Sequence, residues 1–327
     1  MSKVTLLDLE RISGVSKTTV SRYLSGERVK KDKEERIELA IKESGYIRNN
    51  FAQLLRSSQS NLIGVTVPDL DNPFFLKIIK RLDQLASERG KTLIIKTTNR
   101  SVETELKVIE FIRGFLVESI FLCRSELSEA QIRNLKFNVP VISLDKEFSN
   151  IDSVVSNNYQ SAYDLNVHLI NQSKHVMFFS RLSESTSVHQ RVQGFKDSCA
   201  AYKKEPHEYK YNVNLPIDFN DLFNFVLANK IDGIMCRNDN EALKVLSFFN
   251  QKKAQGDIYK VKVCGFDNIS LSKHIVPRLT TVDQKIEEMC DIAFELSLRK
   301  EKKDPQIMVH ESEIIIREST RKDDDRI

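Results

Sequence analysis

Residues 4–27 read VTLLDLERISGVSKTTVSRYLSGE. Thr5 followed three positions later by Asp8 is a capping-box-like start, and Leu6, Leu9 and Ile12 then recur at helical spacing as far as Ser13-Gly14. Val15-Ser16 opens a second helix with Ser16 at its N-cap, and the run from Lys17 to Leu24 stops at Ser25-Gly26, where glycine suits a left-handed cap. At about 100° per residue, Val20, Tyr23 and Leu24 share one side of this helix. Lys17, Thr18, Ser21 and Arg22 share the other, which has nothing apolar to bury. A third helix is expected from about Asp32 to Ser44, with Ile37, Ala40 and Ile41 inward and Gly45 stopping it before Tyr46.

Two helices joined by a short turn, the second offering Lys, Arg, Ser and Thr outward, match the geometry that places a recognition helix in a major groove. Arg22 and Lys17 are long enough to read guanine edges, while Thr18 and Ser21 are shorter and less selective. Periodicity is met equally by a plain three-helix bundle with a polar face. Charge adds a weak lean: residues 1–60 hold 12 Lys+Arg against 8 Asp+Glu, and the remaining residues balance at 38 each, so the net +4 sits in the first sixty residues. A small basic module on a neutral body suits a polyanion-binding head.

The residues themselves decide between the two readings. The quoted stretch closely resembles, without gaps, the DNA-binding motif of the lactose-repressor (LacI/GalR) family, V-T-x-x-D-V-A-x-x-A-G-V-S-x-x-T-V-S-R-x-L-N-G. The resemblance implies that Lys17, Thr18 and Arg22 contact base edges in the major groove. It also implies phosphate contacts at Thr5, Ser16, Thr19 and Tyr46, and at Ser21 on the groove-facing side. Residues 46–60, YIRNNFAQLLRSSQS, resemble the family's linker Y-x-P-N-x-x-A-x-x-L, which becomes helical on DNA and places a leucine in the minor groove. By that register Ala52 and Leu55 are the matching pair. Ala52 permits close helix approach, Leu55 is an apolar wedge one turn on, and Arg56 follows for a phosphate. Arg48 replaces the family's proline. So short a segment is marginally helical alone, so two copies packed on DNA are expected to order it.

From Leu62 onward, apolar runs alternate with helical patterns: LIGVTV, TLIIK, SIFLC, VISL, HVMFF, DGIMC, VKVCGF and EIII. This is the signature of parallel sheets with crossover helices, and eight runs suggest two α/β lobes with a ligand cleft between them. The family resemblance continues through LIGVTVPDLDNPFF (62–75), RVQGF (191–195), VKVCGFDNIS (261–270) and PRLTTVDQ (277–284). It covers roughly residues 3–320. The implied fold is α/β: two Rossmann-like lobes of the periplasmic-binding-protein-like type I, preceded by a three-helix helix-turn-helix headpiece. The expected division is a headpiece at 1–47, a hinge helix and linker at 48–60, and an effector-binding and dimerisation domain at 61–327. Lobe 1 is expected at about 61–156 and 285–309, and lobe 2 at about 157–284 and 310–327.

By the same resemblance, Asn72, Phe74 and Phe75 line one wall of the cleft with Lys146 nearby, and Arg191, Asn238, Asp267 and Gln284 come from the facing lobe and crossover. Aromatic faces stack on a ring and polar groups fix its hydroxyls. Arg191 and Asp267 equally suit an ordinary ion pair, and Phe74 and Phe75 a core. Asn157, Ser161 and Lys285 depart from the family's usual aspartate, glycine and proline. Lys146, Arg181, Arg191 and Arg237 place several cations near the cleft, which motivates an acidic effector, since arginine binds carboxylate or phosphate bidentately.

At 327 residues the chain exceeds one compact core, and no apolar run reaches the roughly 20 residues that span a bilayer. Charges at Asp8, Glu10 and Arg11 interrupt what would be the apolar region of a secretory signal, so a cytoplasmic protein is expected. Cys123, Cys199, Cys236, Cys264 and Cys290 are odd in number and scattered, which suits buried thiols better than disulfides or zinc. No GxSxG, HExxH, GxxxxGK[ST] or GxGxxG stands in the chain. The expectation is therefore no enzyme, no cofactor and no metal. What remains is a homodimeric DNA-binding regulator, a repressor of carbohydrate or sugar-acid genes on a near-palindromic operator, controlled by a sugar or sugar acid. A regulator answering to a corepressor or phosphoprotein, or a sugar-binding receptor without DNA function, stays open at this point.

Overall fold

The computed structural model describes residues 4–46, 60–182, 185–212, 215–256, 259–299 and 304–321, and the chain divides between Ser60 and Asn61 into two units. The first contains α1 (Leu6–Ser13), α2 (Lys17–Leu24) and α3 (Lys31–Ser44). Thr5 caps α1 through a full capping box with Asp8, and Gly14 ends it at φ 62°, its amide donating to Glu10 O at 2.9 Å. Only glycine takes that left-handed geometry without strain. Leu9, Val15, Val20, Ile37 and Ala40 form the buried core, with Leu6, Tyr23, Leu24, Ile41 and Tyr46 packed partly against it. Fully burying a side chain such as Leu9 or Ile37 contributes about 1.5–3 kcal/mol. Ile12 shares the helical spacing of Leu9 yet stays 48% exposed, because a core this small has no place for it.

The second unit holds two six-stranded sheets. The first runs β11-β5-β4-β3-β1-β2 and the second β12-β10-β9-β8-β6-β7. In the first sheet the strands are β1 (Leu62–Val67), β2 (Thr92–Thr97), β3 (Ser119–Cys123), β4 (Val141–Leu144), β5 (Asp152–Ser156) and β11 (Ile307–His310). In the second they are β6 (Val176–Arg181), β7 (His207–Tyr211), β8 (Gly233–Cys236), β9 (Lys262–Phe266), β10 (Thr280–Asp283) and β12 (Glu313–Ile315). All pairings are parallel except β10 with β12. The chain thus leaves the first sheet after β5, builds the second, and returns to add β11 to the first and β12 to the second.

The central strands are buried on both faces, and their alternation feeds two cores each. In β3, Phe121 and Cys123 join Ile63, Val65 and Phe294 on one face, while Ile120 and Leu122 join Ile109 and Ile132 on the other. In β6, Met177 and Phe179 face one way and Val176 and Phe178 the other. Helices on both sides make this the only low-cost arrangement for a continuous apolar run. The eight apolar runs correspond to strands, and four further strands lack such a run: β5, β7, β10 and β11. DSVVS, HEYKY and TTVD are short or polar, and β11 is an edge strand whose Ile307, Met308 and Val309 remain exposed.

All five cysteines are free and buried. Among the described residues no three His, Cys, Asp or Glu side chains cluster as metal ligands, and no helix is long and apolar enough to cross a membrane.

Candidate functional site

In the first unit, Lys17, Thr18 and Arg22 are exposed on α2 and Ser21 is partly covered, while Val20 is fully buried beneath them. The turn that presents this face is fixed by Glu10, whose Oε1 accepts from the backbone amide of Lys17 at 2.7 Å. That amide is one of the first-turn donors that has no intrahelical acceptor, so the carboxylate ties α1 to the start of α2. Arg22 Nε donates to Glu27 Oε2 at 2.8 Å, with both side chains more than half exposed. A pair this open is worth at most about 1 kcal/mol, so it exchanges readily for a stronger partner.

Thr5 and Ser16 are the N-caps of α1 and α2, and Ser16 Oγ lies 3.0 Å from Thr19 Oγ1. Helix N-termini carry partial positive charge and free amides, so these three residues stand where a phosphate is stabilised. Thr5 Oγ1 already donates to Asp8 Oδ2 at 2.7 Å. Tyr46 is partly buried against the headpiece core. Ala52, Leu55 and Arg56 lie outside the described residues.

In the second unit, polar residues gather at the carboxyl ends of the parallel strands, the crevice where open α/β sheets bind ligands. Asp69 follows β1, Arg100 β2, Arg124 β3 and Asp145 β4. Arg181 ends β6, Arg237 follows β8, Asp267 follows β9 and Gln284 follows β10. The two rows of strand ends face each other. Arg124 Nη2 donates to Ser187 Oγ, Lys77 Nζ donates to Asn268 O at 2.8 Å, and Ser156 Oγ donates to Gln284 Oε1 at 2.8 Å.

Arg191 is buried at the centre. Its Nε donates to Asn158 Oδ1 at 2.8 Å, its Nη1 to Arg237 O at 2.6 Å, and its guanidinium lies 4.1 Å from the Phe266 ring centre. Burial lowers its pKa to about 10, with the neighbouring Asp267 and Asp145 opposing the shift. Asp267 adopts φ 107°, a left-handed conformation that presents its carboxylate to Gln284 Nε2 at 2.6 Å. Burial lifts that carboxyl to about 6 against the pull of Arg191, Arg124 and Arg237. Such a raised acid is held in place by its neighbours rather than by water.

Arg191, Asp267 and Gln284, expected from the sequence, are thus brought together. Asn72 and Asn238 are buried helix N-caps, their Oδ1 atoms accepting from Phe74 N at 3.1 Å and Glu241 N at 3.0 Å. Phe74 and Phe75, expected as stacking faces, are 2% and 0% exposed in the core of the first sheet and meet edge to face at 5.3 Å. Neither leaves a face open, because the helix Pro73–Ser87 turns both onto β1 and β3. Lys146 also departs from expectation: its Nζ donates to Ser125 O at 2.9 Å and Leu127 O at 2.6 Å, turned into the loops of its own sheet.

Sequence reasoning missed Arg100, Arg124, Asp145, Asn158 and Glu241. Arg124 Nε stands 2.8 Å from Asp145 Oδ2, a charge contact rather than an aligned hydrogen bond, and Arg237 Nε donates to Glu241 Oε1. Arg124 and Asp145 come directly after SIFLC and VISL. The available signal was their position at the carboxyl end of a buried strand.

Residues 5–49 match the family model for bacterial regulatory proteins of the lacI family, and residues 168–320 match that for a periplasmic binding protein-like domain. Together the two matches give the chain a lacI-type amino-terminal segment and, further on, a periplasmic binding protein-like domain. The relatives it resembles match over nearly the whole length of the molecule. The ribose operon repressor of Halalkalibacterium halodurans is 29% identical over 97% of both chains, and the sucrose operon repressor of Pediococcus pentosaceus is 25% identical over 91% and 92%. In fold, the chain matches the lac repressor dimer bound to operator and an anti-inducer, with a TM-score of 0.80 at 21% identity, covering 98% and 99%.

Proposed function

We propose that this chain is a sequence-specific DNA-binding repressor of carbohydrate or sugar-acid metabolism genes. It acts in the cytoplasm as a homodimer on a near-palindromic operator, under control of a small effector in the crevice between the two sheets. The observation that carries this reading is the exposed Lys17, Thr18 and Arg22 face of α2, held by the Glu10 cap. It belongs to a chain whose full-length relatives are named as operon repressors.

A dimer presents two such faces, which explains why half-sites are symmetric. Lys17 and Arg22 read base edges, with Thr18 and Ser21 beside them, and Thr5, Ser16, Thr19 and Tyr46 set register on the phosphates. The work of the molecule is binding, and its crevice serves as a sensor. Effector held by Arg191, Asp267 and Gln284, with Asn72 and Asn238 at the rims, favours one arrangement of the two lobes. That arrangement alters whether the segment carrying Ala52, Leu55 and Arg56 pairs with its partner copy on DNA. A ligand shifts the equilibrium only by its differential affinity for the two states.

Selection of bound sequences from random duplexes, repeated with a panel of sugars and sugar acids, tests the reading. Recovery of a two-fold symmetric site whose enrichment changes with one compound class is expected. Enrichment of no site over scrambled competitor at physiological salt overturns it.

A further inference from the structure

We propose that the effector carries one oxyanion, a carboxylate or a phosphate ester, which bridges Arg181 of the second sheet and Arg100 of the first. The inference deepens the effector reading given above and rests on it. Five arginines gather at the crevice: Arg100, Arg124, Arg181 and Arg237 at strand ends, and Arg191 on the helix Thr186–Ala201. Three have a carboxylate partner, and a fourth is held by hydrogen bonds. Arg100 Nη2 pairs with Asp69 Oδ2, Arg124 with Asp145 and Arg237 with Glu241, while Arg191 donates to Asn158 Oδ1 and Arg237 O. Arg181 alone has neither an ion pair nor a hydrogen bond to its guanidinium among the described residues. Its Nε is buried without an acceptor.

The same orphaning recurs opposite. Arg100 keeps Nη2 on Asp69, but its Nη1 is buried with no acceptor. The two groups are close enough to repel: Arg237, Arg100 and Arg124 all push against the charge of Arg181, while Glu241, already paired with Arg237, pulls the other way. A desolvated guanidinium beside three like charges is unfavourable until an anion arrives. Guanidinium donors are planar and match the two oxygens of a carboxylate or phosphate. One anion between Arg100 and Arg181 satisfies Arg181 Nε and Arg100 Nη1 and offsets the repulsion between the two lobes, whereas Arg124 Nε, the third such donor, already faces the charge of Asp145.

This arrangement also explains why the site is split. Arg100 follows β2 of one sheet and Arg181 ends β6 of the other, so the anion is bound fully only when the strand ends approach. Charge on the ligand is thereby converted into lobe closure. A neutral sugar lacks the group that draws the two arginines together.

Isothermal calorimetry on the full chain tests this with D-gluconate, D-galacturonate, D-ribose 5-phosphate and neutral D-ribose as probes. The carboxylate and phosphate arms distinguish the two sources of oxyanion. At least one anionic probe is expected to bind, with D-ribose at least tenfold weaker. Arg181→Met and Arg100→Met are each expected to lose tenfold or more for that probe, and Arg181→Lys to lose less than Arg181→Met. The ligand-free melting temperature of Arg181→Met is expected at or above wild type, since an uncompensated cation is gone, which separates lost binding from lost folding. Tight D-ribose binding that is unaffected by Arg181→Met overturns the oxyanion assignment and leaves the effector reading standing. Failure of an extended panel of anionic and neutral carbohydrates to bind overturns both.

Discussion

Gln284 donates from Nε2 to Asp267 Oδ1 at 2.6 Å, and on its other side Oε1 accepts from Ser156 Oγ at 2.8 Å. Ser156 ends a strand of the first sheet and Asp267 follows one of the second, so this single side chain, 1% exposed, pins the two sheets to each other beside the crevice. Its place in the crossover after β10 makes it a joint through which a change at Asp267 reaches the first sheet.

Truncation at this joint leaves a buried carboxylate oxygen and a buried hydroxyl without their partner. Gln284→Ala is expected to lower unfolding free energy by about 1–3 kcal/mol. Urea denaturation reads the effect, and an unchanged midpoint would show that the bridge is not stabilising.

The carboxyl of Asp267 gives a pH signature. Burial raises it to about 6, with Arg191, Arg124 and Arg237 lowering it and Asp145 raising it. An unfolded aspartate titrates near ~3.9. The folded state therefore holds the proton more tightly, so the stability linked to it is fully present below about pH 4 and is lost as pH rises through about 6. Asp267→Asn keeps an oxygen for Gln284 and removes the titration. Between pH 4 and pH 7 the stability difference should move in favour of the variant by about 1–3 kcal/mol. A difference that stays flat across that window refutes the raised acid.

Gly194 lies where the helix Thr186–Ala201 crosses Asn158–Gln172. A Cβ there would stand 2.3 Å from Tyr159 O and 3.0 Å from Tyr163 N, both backbone atoms of the opposing helix. Gly194→Ala must push the helices apart, at a cost of about 1–3 kcal/mol or more. Calorimetric melting should show a clear drop, and retention of the wild-type transition would mean that the helices separate freely.

On the headpiece, Arg22→Ala is expected to cost about 1–3 kcal/mol of operator binding, concentrated at one base pair. Glu27→Ala breaks the same exposed ion pair from the other side. It should change fold stability by less than about 1 kcal/mol and leave DNA affinity undiminished. Competition binding with single-base operator variants separates the two, and equal weakening on every sequence after Arg22→Ala would reassign that residue to phosphate.

The amino-acid order alone determined what is local. Thr5 and Asp8 specify one helix start, Ser16 another, and Gly14 the stop between them, because caps are made within a few residues of chain. Runs such as SIFLC and LIGVTV declare strands covered on both faces, since nothing else hides a continuous apolar segment. The outward set Lys17, Thr18 and Arg22 follows from the same periodicity.

Tertiary structure decided which charges meet. Arg124 reaches Ser187 across 63 residues of chain, Ser156 reaches Gln284 across 128, and Lys146 is captured by carbonyls of its own sheet. The sequence placed Phe74 and Phe75 beside a binding motif, but packing turned them into core. Whether a cation is spent on a neighbour or left free depends on groups far apart in sequence, and no local pattern records their distance. For that reason the sequence places Arg181 only among several cations near the cleft, and the fold shows that its buried Nε has no acceptor.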